Sequence, residues 1–179
     1  MAQGSGASYT VMMQATAEEF DVFHEQVFLP ALEAFQPIAE PEATAETTES
    51  APYREEAVTF PGGAEDVTLA GTLTIPEGDG PFPAIVLVSG SGPQDRDETI
   101  SGTLMKPFAL LADALARAGV AVLRYDDRGV AESTGDFTTA LTEDFTADAA
   151  AAIAWLQTQP ELNPELVGVL GHSEGGMVA

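Results

Sequence analysis

Cysteine is absent from this chain, lysine occurs once, at Lys106, and histidine twice, at His24 and His172. Without a thiol there is no disulfide framework, no thiolate nucleophile and no thiolate metal site. Two histidines so far apart in sequence do not support a His-based zinc site, so no metal and no cofactor is assigned. No apolar run approaches the roughly 18 residues of a membrane-crossing helix. Residues 1–17 lack both a basic start and a sustained apolar core. They do not read as a signal peptide, which favours the cytoplasm. Basic residues are also scarce: 29 acidic side chains face 6 basic ones, for a net charge of −23. Such a surface repels nucleic acid and anionic membranes, and neither is expected as a partner. The same charge fits a highly hydrated surface in a salty habitat, or simply a lysine-poor, acid-rich composition. The hydrophobic fraction of 45% is that of an ordinary globular domain.

What is present is concentrated near the end of the chain. Val167-Gly168-Val169-Leu170 reads as a buried strand, and Gly171-His172-Ser173-Glu174-Gly175 follows it directly. Gly-x-Ser-x-Gly after a strand is the pattern of a sharp strand-to-helix turn that exposes a serine hydroxyl. Ser173 is therefore the candidate nucleophile, for acyl transfer to serine and then to water. The negative charge that develops on an acyl oxygen calls for two backbone N–H donors. Glu174, the residue after the serine, is one candidate. The other comes from Ser89-Gly90-Ser91-Gly92-Pro93, a glycine-rich loop after the apolar run Ala84–Val88. Ser91 is the candidate there, with Gly90 as its neighbouring alternative. Such a loop alone is often an ordinary turn; joined to the serine motif it carries more weight.

The chain divides near residue 50. Residues 1–50 hold no Lys or Arg, and Ile38 to Pro52 is rich in Pro, Glu, Ala, Thr and Ser, the composition of a flexible linker. Ahead of it, Thr16 with Glu19 reads as a helix start, and Phe20, Phe23, Val27 and Ala31 recur at helical spacing. His24 on that segment reads as a solvent-facing residue. Residues 51–179 alternate differently. Ala57–Phe60 and Val67–Ile75 read as an antiparallel pair turning at Gly62-Gly63. Ala84–Val88, then a helix over Pro107–Ala118, a strand over Val120–Leu123, a helix capped by Thr142, and the final strand follow. Phe108, Leu111, Ala112, Leu115 and Ala118 form the expected apolar face of the first helix. Phe145, Ala149, Ala152, Ile153 and Leu156 form that of the second. Strand–helix–strand–helix–strand argues for an α/β fold with a parallel sheet and right-handed crossovers.

Three segments in this order, Ser89 to Glu98, Arg124-Tyr125-Asp126-Asp127-Arg128-Gly129 and Gly171 to Gly176, resemble the α/β-hydrolase superfamily. More narrowly, the chain is similar to its bacterial carboxylesterase and serine-aminopeptidase-like branch, and to dienelactone hydrolases, from about Tyr53 to Ala179. The resemblance implies a mostly parallel α/β-hydrolase sheet with an antiparallel N-terminal hairpin and flanking helices, the chain stopping just after the serine turn. It implies Ser173 as nucleophile, Ser91 and Glu174 as oxyanion donors, and a small carboxylic ester with a short acyl group as substrate. The family's acid and histidine have no matching position here, since both follow the serine in chain order. An amide or peptide substrate is the alternative. So is a non-catalytic half-domain that acts only through binding. One departure is local: relatives often read Arg-Gly-x-Gly-x-Ser where this chain has Arg128-Gly129-Val130-Ala131-Glu132-Ser133. Alanine at 131 restricts that loop wherever positive φ is required.

Other residues have blander readings. His172 adjoins Ser173, but neighbours on a strand point to opposite faces, so it is expected to pack or hydrogen-bond behind the turn. Asp95, Arg96, Asp97, Asp126, Asp127 and Arg128 are expected to form an ion-pair network bracing the glycine-rich loop. Trp155 is expected in the core.

Overall fold

The computed structural model describes residues 2–3, 8–9, 51–100 and 105–179. The chain divides into two compact units, Met1–Glu49 and Ser50–Ala179. In the first, β1 (Ala2–Gln3) pairs antiparallel with β2 (Ser8–Tyr9). The helix expected from Thr16, His24 within it, and the acidic segment up to residue 50 lie outside the described residues.

The second unit is built on a five-stranded sheet. Its strands are β3 (Tyr53–Pro61), β4 (Thr68–Pro76), β5 (Phe82–Val88), β6 (Ala121–Tyr125) and β7 (Leu162–Gly171). Their spatial order is β3-β4-β6-β5-β7. The hairpin β3–β4 and the β4–β6 ladder are antiparallel; β6, β5 and β7 run parallel. Helix α1 (Pro107–Arg117) carries the chain from β5 to β6, and helix α2 (Thr142–Leu156) carries it from β6 to β7. The chain thus leaves β5 toward one side and returns on the other. Loops at the carboxyl ends of β5 and β7 diverge there, which is where open α/β sheets form a crevice.

Strand alternation sorts the core into two layers. Val86, Val88, Leu123 and Tyr125 pack with Ala149, Ala152 and Leu156 of α2. Leu87 and Val122 point the other way, onto Phe108 and Ala112 of α1. Leu123 and Leu156 are fully buried, each contributing roughly 1.5–3 kcal/mol of transfer free energy. Trp155 stacks on Phe60 at 5.1 Å between ring centroids, at the core side of α2 as expected. At the other side of the sheet β7 is an edge among the described strands. Leu166 and Leu170 are exposed along it.

The elements match the expected order, with local corrections. Leu141, not Thr142, caps α2: Asp144 reaches back to accept the Leu141 N–H at 2.9 Å, so the first-turn acid does the capping. On α1 the buried positions are Phe108, Ala112 and Ala116, while Ala118 lies beyond the last turn and is exposed. The strands are longer than the apolar runs that flagged them: ladder pairing with β4 continues through Tyr53–Glu56 whatever the side chains, and β7 begins at Leu162, paired with Phe82, with a bulge before the regular ladder resumes at Val167.

Candidate active site

Strand β7 ends at Gly171, the His172 N–H donates to the Val88 carbonyl at 3.0 Å, and the chain turns at once into a short helix, α3 (Gly175–Val178). Ser173 sits at the apex with φ +54, the left-handed region that L-residues avoid. The flanking glycines are steric necessities. A Cβ on Gly171 would lie 2.1 Å from the Gly175 carbonyl oxygen, and one on Gly175 would lie 2.3 Å from that of Val88. The turn can close this tightly only without those side chains, and closing it leaves Ser173 exposed above the sheet.

The glycine-rich loop after β5 lies against this turn. A Cβ on Gly90 would sit 3.2 Å from the Ser173 Cβ. Ser91 is exposed, and Ser91 and Glu174 both line a small cavity of about 30 Å³ together with Asp127, Phe137, Phe145 and Val178. The structure therefore brings Ser173, Ser91 and Glu174, the three sequence-derived site residues, to one place. Gly90 differs from Ser91: its N–H already donates to Glu98 Oε1 at 2.8 Å. The His172 Nδ1 lies 2.8 Å from the same Glu98 oxygen, so it hydrogen-bonds as expected, but its ring is exposed rather than packed.

The loop is braced by charged groups, in a pattern only partly anticipated. Arg96 clasps Asp126, with Nε to Oδ1 at 3.0 Å and Nη2 to Oδ2 at 2.5 Å, and the Arg96 N–H donates to Asp126 as well. The Asp126 carboxylate beside it raises the Arg96 pKa. Asp97 pairs with the buried Arg124 and with Lys106. Arg128, expected in this network, turns instead to Asp148 and Asp144 on α2. Asp127 pairs with no arginine: it accepts the Ser89 hydroxyl at 2.9 Å and the Gln94 N–H at 3.0 Å. Burial pushes its carboxyl up to about 6, against the pull of those two hydrogen bonds. Glu98 went unnoticed in the sequence because its role depends on a loop folding back on itself; no spacing announces it.

Ala131 adopts φ +46, so the loop after β6 does require the positive φ that alanine resists. Ser133 then reaches back, its hydroxyl donating to the Asp126 carbonyl at 2.7 Å and accepting the Ala70 N–H at 2.9 Å. Beyond the serine turn an open groove of about 1050 Å³ runs between the glycine-rich loop and β7, lined by Gln94, Glu98, Phe108, Leu170 and His172 among others. No helix among the described residues is long and apolar enough to cross a membrane.

Known proteins share parts of this sequence and fold. The family described as peptidase S15, X-Pro dipeptidyl-peptidase, matches residues 63–179. Esterase EstD of Thermotoga maritima is 42% identical over 117 residues, covering 64% of this chain and 27% of that esterase. Among solved structures, hypothetical protein PA2218 of Pseudomonas aeruginosa has a TM-score of 0.55 at 30% identity, over 75% of this chain and 40% of its own. The Pyrococcus furiosus esterase Pf2001 has a TM-score of 0.57 at 23% identity, over 71% of this chain and 45% of its own, which speaks to the fold alone. The chain spans less than half the length of each of these relatives, and about a quarter of that of the Thermotoga esterase.

Proposed function

The chain belongs to the peptidase S15 family, within the α/β-hydrolase superfamily, and from this we propose that it carries the nucleophile portion of a serine hydrolase acting on carboxylic esters. The observation that carries the reading is the conformation of Ser173: a serine held at φ +54 between two glycines that admit no side chain, with the glycine-rich loop against its Cβ. A strained residue at the mouth of a crevice is the kind of feature that persists when it serves a site.

In this reading the Ser173 hydroxyl attacks the ester carbonyl while a histidine takes its proton. The backbone N–H groups of Ser91 and Glu174 hold the oxyanion of the tetrahedral intermediate. Collapse expels the alcohol and leaves an acyl-enzyme, which water hydrolyses by the same steps. Gly90 is set aside as a donor because its N–H is committed to Glu98. His172 is set aside as the base because its ring is turned to Glu98. The histidine and its acid are assigned to the part of the protein that follows Ala179, in the chain order Ser, acid, His. The reaction needs no cofactor. The family description gives a second reading some support: an amide or peptide bond, cleaved by the same steps.

The test is covalent labelling with a fluorophosphonate probe, read as the modified peptide by mass spectrometry. The full-length protein is expected to be labelled at Ser173 and to lose both labelling and hydrolysis of a chromogenic acetate ester as Ser173→Ala. Residues 1–179 alone are expected to show neither. Strong Ser173-dependent labelling of the short chain would overturn the assignment of the base. Faster turnover of an X-Pro dipeptide anilide than of any short ester would favour the peptidase reading.

A further inference from the structure

We infer that Glu98 is a positioning residue that locks the oxyanion loop to the serine turn, an inference that rests on the serine-hydrolase reading above. Glu98 is 8% exposed and lies at φ +51, backbone that an L-residue holds only where its surroundings insist on it. Its surroundings are firm. The Glu98 N–H donates to the Asp95 carbonyl at 2.9 Å, and Asp97 beside it is held by Arg124 and Lys106. From that base a single oxygen, Oε1, accepts the Gly90 N–H at 2.8 Å and meets His172 Nδ1 at 2.8 Å. The contact is satisfied when Nδ1 carries the hydrogen. One carboxylate oxygen thus grips the residue before Ser91 and the residue before Ser173. The point of contact is Gly90, where a Cβ would lie 3.1 Å from Glu98 Oε1, 3.2 Å from the Ser173 Cβ and 3.4 Å from His172 Nδ1.

The consequence lies in the transition state. Oxyanion donors accelerate the reaction only when they already point where the charge will develop. Holding the Gly90 N–H fixes one peptide plane, and the next plane carries the Ser91 N–H. Released from Glu98, that loop can turn its Gly-rich backbone freely and the donor loses its aim. Ground-state binding of an ester depends little on this alignment, so the cost falls on kcat rather than KM.

Three variants of the full-length protein test this. Glu98→Gln keeps a carbonyl oxygen at the same reach; Glu98→Asn is one methylene short, and asparagine tolerates positive φ, so the loop still folds; Glu98→Ala removes the group. On a chromogenic acetate ester, Glu98→Ala and Glu98→Asn are expected to lower kcat about 10²-fold with KM changed by less than about threefold, while Glu98→Gln stays within about tenfold of the parent. Phosphonylation of Ser173 is expected to slow in parallel, because the phosphonyl oxygen occupies the same donors. A Glu98→Asn protein that melts with the parent and keeps its kcat would overturn the inference. So would Glu98→Gln falling as far as Glu98→Asn. Failure of the underlying reading is seen separately, in the parent: labelling at a residue other than Ser173 overturns the serine assignment itself. A parent labelled at Ser173 with an unaffected Glu98→Asn overturns only the role of Glu98.

Discussion

Arg128 and Asp148 face each other as a buried bidentate pair, Nε donating to Oδ2 at 2.7 Å and Nη2 to Oδ1 at 2.8 Å. Arg128 stands in the turn after β6 and Asp148 on the inner face of α2, and Asp148 also accepts the Gly63 N–H of the β3–β4 turn at 2.7 Å. One carboxylate thus joins three segments far apart in sequence. The Asp148 carboxylate raises the pKa of its partner arginine. Removing Asp148 strips the buried Arg128 of its bidentate partner and leaves it the part-exposed Asp144. Asp148→Ala is expected to cost about 3–5 kcal/mol in urea unfolding. A loss under about 1 kcal/mol would mean that water or Asp144 replaces the lost partner.

The serine turn stores strain that the sequence could relieve. Ser173→Gly is expected to raise stability by about 1 kcal/mol while abolishing ester hydrolysis. Ser173→Ala abolishes hydrolysis too but keeps the Cβ and the strain. The check is a pair of thermal melts beside turnover. Identical melting of the two variants would remove the strain argument.

At Ala131 the same physics acts without a catalytic reason. Its φ of +46 is the conformation for which glycine is usual, and the residue is exposed. Ala131→Gly is expected to stabilise the domain by about 0.5–1 kcal/mol, less than the full relief of strain because glycine also loosens the unfolded chain. Activity should be unchanged, since the loop keeps its shape. Chemical denaturation decides it.

Asp127 gives the fold a pH dependence with a definite sign. Burial raises its folded pKa from 3.8 to about 6, so the folded state binds this proton more tightly than the unfolded chain does. The stabilisation is complete below the unfolded value and is lost as pH rises through about 6. Between pH 4 and 7 the parent is expected to lose on the order of 2–3 kcal/mol from this group. Asp127→Asn, neutral throughout, should show a correspondingly flatter profile. Asp113 acts in the opposite sense, because its hydrogen bond from Arg117 lowers its pKa, and its contribution fades only at more acid pH. Parallel profiles for parent and Asp127→Asn would rule out this source.

Ser91 separates a backbone role from a side-chain role. Ser91→Pro deletes the N–H and is expected to lower turnover of the full-length protein about 10²–10³-fold. Ser91→Ala keeps the N–H and should lose far less. Equal losses would shift the role to the hydroxyl or to the loop's shape.

Much of this was legible in the residues alone, for stated reasons. The strands β5 and β6 and the stripes of α1 and α2 follow from local apolar periodicity, and Gly171, Ser173 and Gly175 announce a turn whose sterics act over five residues. The glycine-rich loop after β5 was readable on the same terms. Thr142 misled because a hydroxyl at a helix start is a good cap in general, whereas here Asp144 takes that task one turn on.

What the sequence by itself determined, then, are the interactions that act between near neighbours: period, turn and the tight glycines around Ser173. Only the tertiary structure decided which partners the charged residues near the loop would take. Arg128 went to Asp148 on α2, Asp127 to a hydroxyl and an amide, and Glu98 to Gly90 and His172. A carboxylate carries no sequence mark of its partner. Its choice depends on which donors the packed sheet brings within about 3 Å and which it excludes from water, and that is a property of the assembled fold.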